Sequence, residues 1–131
     1  MERLTSGCRS TRRERRAPDP RRLDSSMNMP PYPNCIGKIR KIGSIDGRPR
    51  QFTVEDEIVH RQRSASSPKL IYLQKVRFAP PDDKLEYRFT YYMLSRKAGG
   101  RWVFGQYSLF VPPADLRAIL RKARAKGWKG I

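Results

Sequence analysis

Two hydrophobic periods share this chain, and the point where one replaces the other sets what it can fold into. Over residues 51–111 apolar and polar residues alternate, the spacing of strands whose successive side chains point to opposite faces. In PPADLRAILRKARAKGW, Leu116, Ile119, Leu120 and Ala123 instead fall at i, i+3, i+4 and i+7, an apolar stripe on a helix. Pro113 suits the first turn and Asp115 complements the positive end of the helix dipole. Arg121, Lys122, Arg124 and Lys126 load the negative end before Gly127 stops it. Trp128 is expected to fold back as a hydrophobic anchor.

The alternating part divides at turn signals. Residues 36–44 form the weakest strand, mixing isoleucines with Lys38, Arg40 and Lys41. Asp46-Gly47 is a hairpin signal, because both residues tolerate positive φ. Strands follow over 51–61 and 70–79, separated by the polar SASSPK, and then PPDDK turns the chain. The longest are 85–95 and 102–111, joined through Gly99-Gly100. The fold class expected is α+β: an antiparallel β-meander of four to five strands followed by one C-terminal amphipathic helix.

A length of 131 residues suits one domain with a tail. Residues 1–34 read as a disordered Arg/Pro-rich segment and 35–131 as a basic sheet-and-helix domain. The first 26 residues hold eight arginines and almost no large apolar side chains, too few to offset their own ordering entropy. They lack the apolar core of a secretory signal, and Glu2, Glu14, Asp19 and Asp24 are foreign to a mitochondrial transit peptide. Met1, Met27 and Met29 are alternative starts. The formal charge is +17, and without residues 1–26 it is still +13, from 21 basic and eight acidic groups. Such a field attracts nucleic acid, anionic membranes or acidic proteins. No apolar stretch nears the roughly 18–20 residues of a membrane span, so membrane attachment is not expected. Cys8 and Cys35 lie outside the segments read as structured, which is no disulfide framework; a reduced, cytoplasmic setting is the default.

Eight of the 13 aromatic residues fall within KLEYRFTYYMLSRKAGGRWVFGQYSLFV (84–111), interleaved with cations. A single helix covers one face of a sheet, so the more apolar set of each strand is expected beneath it. Those sets are Leu70, Tyr72, Gln74, Val76 and Phe78, and Leu85, Tyr87, Phe89, Tyr91 and Met93. The open face would then carry Lys75, Arg77, Arg88, Thr90 and Tyr92, where cations track phosphates and rings stack on bases. Arg96, Lys97, Arg101 and Trp102 extend this expected nucleic-acid surface, although the burial of strand 102–111 is left open. The expected function is binding of single-stranded DNA or RNA with little sequence specificity. The alternative is a non-enzymatic module that docks an acidic protein partner or a larger nucleoprotein complex, and a homodimer is kept open.

Catalytic and metal chemistry find little footing. His60 is the only histidine, which removes most metal sites, and no Gly-rich nucleophile elbow is present. Glu55 and Glu57 are a weak metal-nuclease alternative, with Asp56 placed opposite them by strand alternation. No enzyme activity, metal or cofactor is expected. RFTYYM (88–93) and YSLFVPPADLRAIL (107–120) give residues 70–126 a resemblance to the single-stranded-DNA-binding transcriptional coactivator family (positive cofactor four). That resemblance implies Arg88 and Tyr92 as backbone and base contacts. A fifth strand and the lack of a Lys-rich second strand depart from the family pattern. GRWVFGQYSLFVPPADL also resembles small uncharacterised bacterial proteins.

Overall fold

The computed structural model describes residues 29–43, 46–97 and 99–131. Five strands, β1 (Ile39–Ile42), β2 (Arg50–Arg61), β3 (Lys69–Phe78), β4 (Leu85–Ser95) and β5 (Arg101–Phe104), precede the helix α1 (Pro113–Ala125). The strands pair antiparallel in chain order, forming one curled meander. The α+β architecture is therefore the one the hydrophobic periods indicate. The expected disorder of residues 1–28 and the placement of Cys8 lie outside the described residues.

β2 is not regular. Its register against β3 shifts between Val54 and Asp56, so one extra residue is accommodated there. Before the bulge, Phe52 and Val54 face one side of the sheet; after it, Glu57 and Val59 do, because Glu57 pairs with Gln74 and Val59 with Tyr72. Ile58 and His60 turn to the other side, opposite Leu73 and Ile71. Each face consequently has its own apolar cluster.

The first cluster gathers Phe52, Val54, Leu70, Tyr72, Val76, Phe78, Tyr92 and Trp102 with Cys35. What covers it is the segment before β1. Pro33 and Cys35 are buried, and this leader is held by donors that rise from the sheet. Tyr72 Oη donates to the Pro33 carbonyl (2.6 Å), Trp102 Nε1 to the Pro30 carbonyl (3.0 Å), and Tyr32 packs edge-on to Trp102. The described chain before Cys35 thus packs onto the sheet through Pro30, Tyr32 and Pro33. Cys35 is core rather than peripheral. It is also not a free thiol, against the expectation of a reduced pair.

The second cluster lies beneath the helix: Ile58, Ile71 and Leu73 from the sheet meet Ile119, Ala123 and Trp128. Asp115 at the start of α1 accepts from His60 Nε2 at 2.7 Å, and Lys126 at its end grips the Asp56 carboxylate at 2.9 Å. Gly127, at φ +77°, ends the helix with a left-handed turn. Its N–H bonds the Arg124 carbonyl and that of Trp128 bonds Ala123, which folds the indole back flat against Tyr87 at 5.4 Å.

β5 stops at Phe104, short of the expected 111. At Gly105 the chain lies against the Tyr91 ring, so closely that any Cβ there would meet ring atoms. The Gly105 N–H donates to the Tyr91 carbonyl and the Tyr107 N–H to the Tyr91 hydroxyl, which draws the backbone off the strand line toward the helix. Gly105→Ala should therefore lower stability by about 1–3 kcal/mol, the usual range for overpacking. Chemical denaturation checks this, and an unchanged midpoint would contradict the packing.

Candidate nucleic-acid interface

The expected sheet surface is split by the strand register. Gln74 stands opposite Arg88, Tyr72 opposite Thr90 and Leu70 opposite Tyr92, whereas Lys75 stands opposite Tyr87. The more apolar set of β3 therefore shares its face with the more polar set of β4. Arg88, Thr90 and Tyr92 lie on the leader face; Lys75 and Arg77 lie on the helix face. The single open face assumed from apolar content does not exist, because the leader covers one side and the helix the other.

Tyr92 is 1% exposed, its ring packed 5.1 Å from Tyr72 and 5.5 Å from Phe104, with its hydroxyl 3.6 Å from Cys35 Sγ. Trp102 is equally committed to the core and the leader. Neither ring is open to a base, which corrects their expected role as contacts. Arg88 is half-buried, with its guanidinium 5.0 Å from the Phe52 ring and 5.6 Å from Phe104, stacked by cation–π attraction. Burial lowers its pKa, partly offset by Tyr92 and reinforced by the charge of Arg40. Arg77 is tied to Glu55 at 2.8 Å and lies 3.8 Å from Asp83. Of the eight expected contact residues, Arg96, Lys97 and Arg101 alone are exposed at a common edge.

The acids explain where positive charge is left over. Asp46 pairs with Arg48, Glu55 with Arg77, Asp56 with Lys126, Asp82 with Arg50, Glu86 with Lys84, and Asp115 with His60. Asp83 approaches Arg77. Glu57 turns inward, where its carboxylate accepts from the Cys35 N–H and from Gln74 Nε2, both at 3.0 Å. All eight acidic groups among the described residues thus have an internal partner. The bulge also separates Glu55 from Glu57, so the alternation that placed them together fails. No group of three or more potential metal ligands occurs among the described residues.

One end of the sheet carries no acid in its loops. In a meander the β2–β3 and β4–β5 connections emerge at the same end, and the Leu94 N–H bond to the Pro68 carbonyl (3.1 Å) ties them together. Residues 61–69 and 95–101 contain Arg61, Arg63, Lys69, Arg96, Lys97 and Arg101, and neither Asp nor Glu. The chain from β5 returns past this end on its way to the helix. Lys69 Nζ donates to the Phe110 carbonyl at 2.9 Å and sits 5.3 Å from the Tyr91 ring centroid. On that returning segment Tyr107 is 86% and Phe110 80% exposed, the two most solvent-open large hydrophobic residues described. Cations and open rings do meet in this molecule, but on the β5–α1 connection rather than on β4. The acid-free loops were visible in the sequence; their adjacency required the meander, and the exposure of Tyr107 and Phe110 required the early end of β5.

No protein-family model, curated protein or solved structure matches the chain. Among the described residues no helix is long and apolar enough to cross a membrane.

Glu57 yields a pH prediction. Burial, the largest influence, raises its pKa above the ordinary 4.5, against the lowering effect of the two hydrogen bonds. A raised carboxyl pKa means the native state holds its proton longer than the unfolded chain does. The contribution is therefore complete below pH 4.5 and is lost as pH rises through the folded pKa. Relative to the parent, Glu57→Gln should gain in Tm as pH is raised from 4.5 to 7; a difference constant across that range would contradict it.

Proposed function

We propose that this protein binds single-stranded nucleic acid with little sequence specificity, using the end of the sheet whose β2–β3 and β4–β5 loops carry no acid and the rings of Tyr107 and Phe110. The observation that carries the reading is this juxtaposition of two open aromatic side chains with Lys69 and the cationic loops. Arg61, Arg63, Arg96, Lys97 and Arg101 supply phosphate-neutralising charge from two segments that contain neither Asp nor Glu. The two rings supply flat apolar faces on which unstacked bases can lie. A duplex keeps its bases stacked and offers those rings nothing, so the pair favours single strands. Stacking on an open ring accepts any base and phosphate contacts carry no sequence information, which is why little sequence preference is assigned.

Titration of a labelled single-stranded oligonucleotide against salt tests the reading. Log affinity should fall linearly with log salt, and Arg96→Ala/Lys97→Ala/Arg101→Ala should flatten the slope by about 2, at roughly 0.7 per phosphate contact on a single strand. Tyr107→Ala/Phe110→Ala should weaken single-strand binding by about tenfold or more, since stacking contributes about 1–3 kcal/mol per base, while leaving duplex binding unchanged. Affinity no tighter than about 10⁻⁴ M at about 50 mM salt would end the proposal.

A further inference from the structure

The outer side of α1 carries a second feature that the nucleic-acid reading does not use. Ile119 and Ala123 are fully buried against the sheet and fix the helix rotation. That rotation leaves a groove of about 490 Å³, in which Pro113, Leu116 and Leu120 alternate with Arg117, Arg121 and Arg124. These positions recur every three to four residues, so the apolar and the cationic rows run side by side along the helix axis. Asp115, the only acid of the helix, is turned away to His60. No Asp or Glu side chain pairs with any of the three arginines among the described residues; Arg124 Nε reaches the Ile131 main-chain oxygen, at 3.4 Å.

From this groove we infer that α1 is the docking surface for an acidic amphipathic helix of a partner protein. Charge complementarity sets the occupant. Arg117 to Arg124 spans about 10 Å at about 1.5 Å per residue, the same distance that carboxylates at i, i+4 and i+7 cover on an opposing helix. Guanidinium forks hold carboxylates through paired hydrogen bonds, which a lysine row would not do. A phosphate backbone would satisfy the arginines but leave Pro113 and Leu116 without a counterpart. A bilayer would call for a broad apolar face, whereas here three apolar residues alternate with three arginines.

The test uses the full chain and a synthetic peptide of about 20 residues with a leucine stripe flanked by glutamates, against a scrambled peptide of equal composition. Titration should show the striped peptide binding about tenfold tighter or more. Arg117→Glu/Arg121→Glu should abolish that preference, and Leu116→Ser, at a half-exposed position outside the apolar clusters, should weaken it with the fold intact by circular dichroism. Tyr107→Ala/Phe110→Ala should leave it unchanged, which keeps this result separable from oligonucleotide binding. Equal binding of the two peptides, or an unaffected charge-reversal variant, overturns the inference. So does retention of phosphatidylserine vesicles or oligonucleotide by the arginine row without any preference for the striped peptide.

Discussion

The extra residue in β2 between Val54 and Asp56 decides how both sides of the sheet are closed. Without it, strict alternation would carry the Phe52–Val54 row on to Asp56 and Ile58. With it, Glu57 enters that row and holds the Cys35 N–H of the leader, while Asp56 swings to the opposite side and holds Lys126 at the helix end. Ile58 is thereby released to pack under Ile119 and Ala123. One local irregularity sets the anchor of the leader, the anchor of the helix and part of the helix core. Bulges re-aim side chains in this way because the two-residue period of a strand has no other means of changing phase.

The same arrangement shapes the electrostatics. Acidic groups are few, and those described are used inside the molecule, as pairs or as an inward-facing carboxylate. The cations far outnumber them, and those at the β2–β3 and β4–β5 loops have no acid in their own segments. Most of the surface ion pairs contribute little to stability, since exposed pairs are worth about 0–1 kcal/mol. Their larger effect is to segregate charge, leaving one end of the sheet and the outer side of α1 strongly positive.

Much of the architecture was legible from residue spacing, and its failures have a common cause. The helix was readable because Leu116, Ile119, Leu120 and Ala123 repeat at one period between Pro113 and Gly127. The hairpins were readable from Asp46-Gly47 and Gly99-Gly100. Facing was not, because alternation within a strand does not say which set of one strand meets which set of the next; that depends on register, and Leu70 opposite Tyr92 reverses the simple choice. Nor does composition reveal that Pro30 and Pro33 hold one face closed. A proline-rich segment reads as a tail, yet it offers carbonyls with few competing N–H groups, matching the buried donors of Tyr72 and Trp102. The candidate interface was half visible, in Arg96, Lys97 and Arg101, and its rings emerged only once Gly105 was seen to divert the chain.

The leader and the stretch after α1 lie on opposite sides of one sheet, each ending in contacts that no strand supplies. Neither face is sealed by the meander itself. Trimming into Met29–Asn34 would open the Tyr72, Tyr92 and Trp102 side, and trimming back to Lys126 would remove Trp128 from Tyr87 and open the other. Met29–Asn34 and Trp128 are therefore integral to the two packed faces, and a tag or fusion that displaced either would leave a row of rings facing water, with aggregation as the visible result.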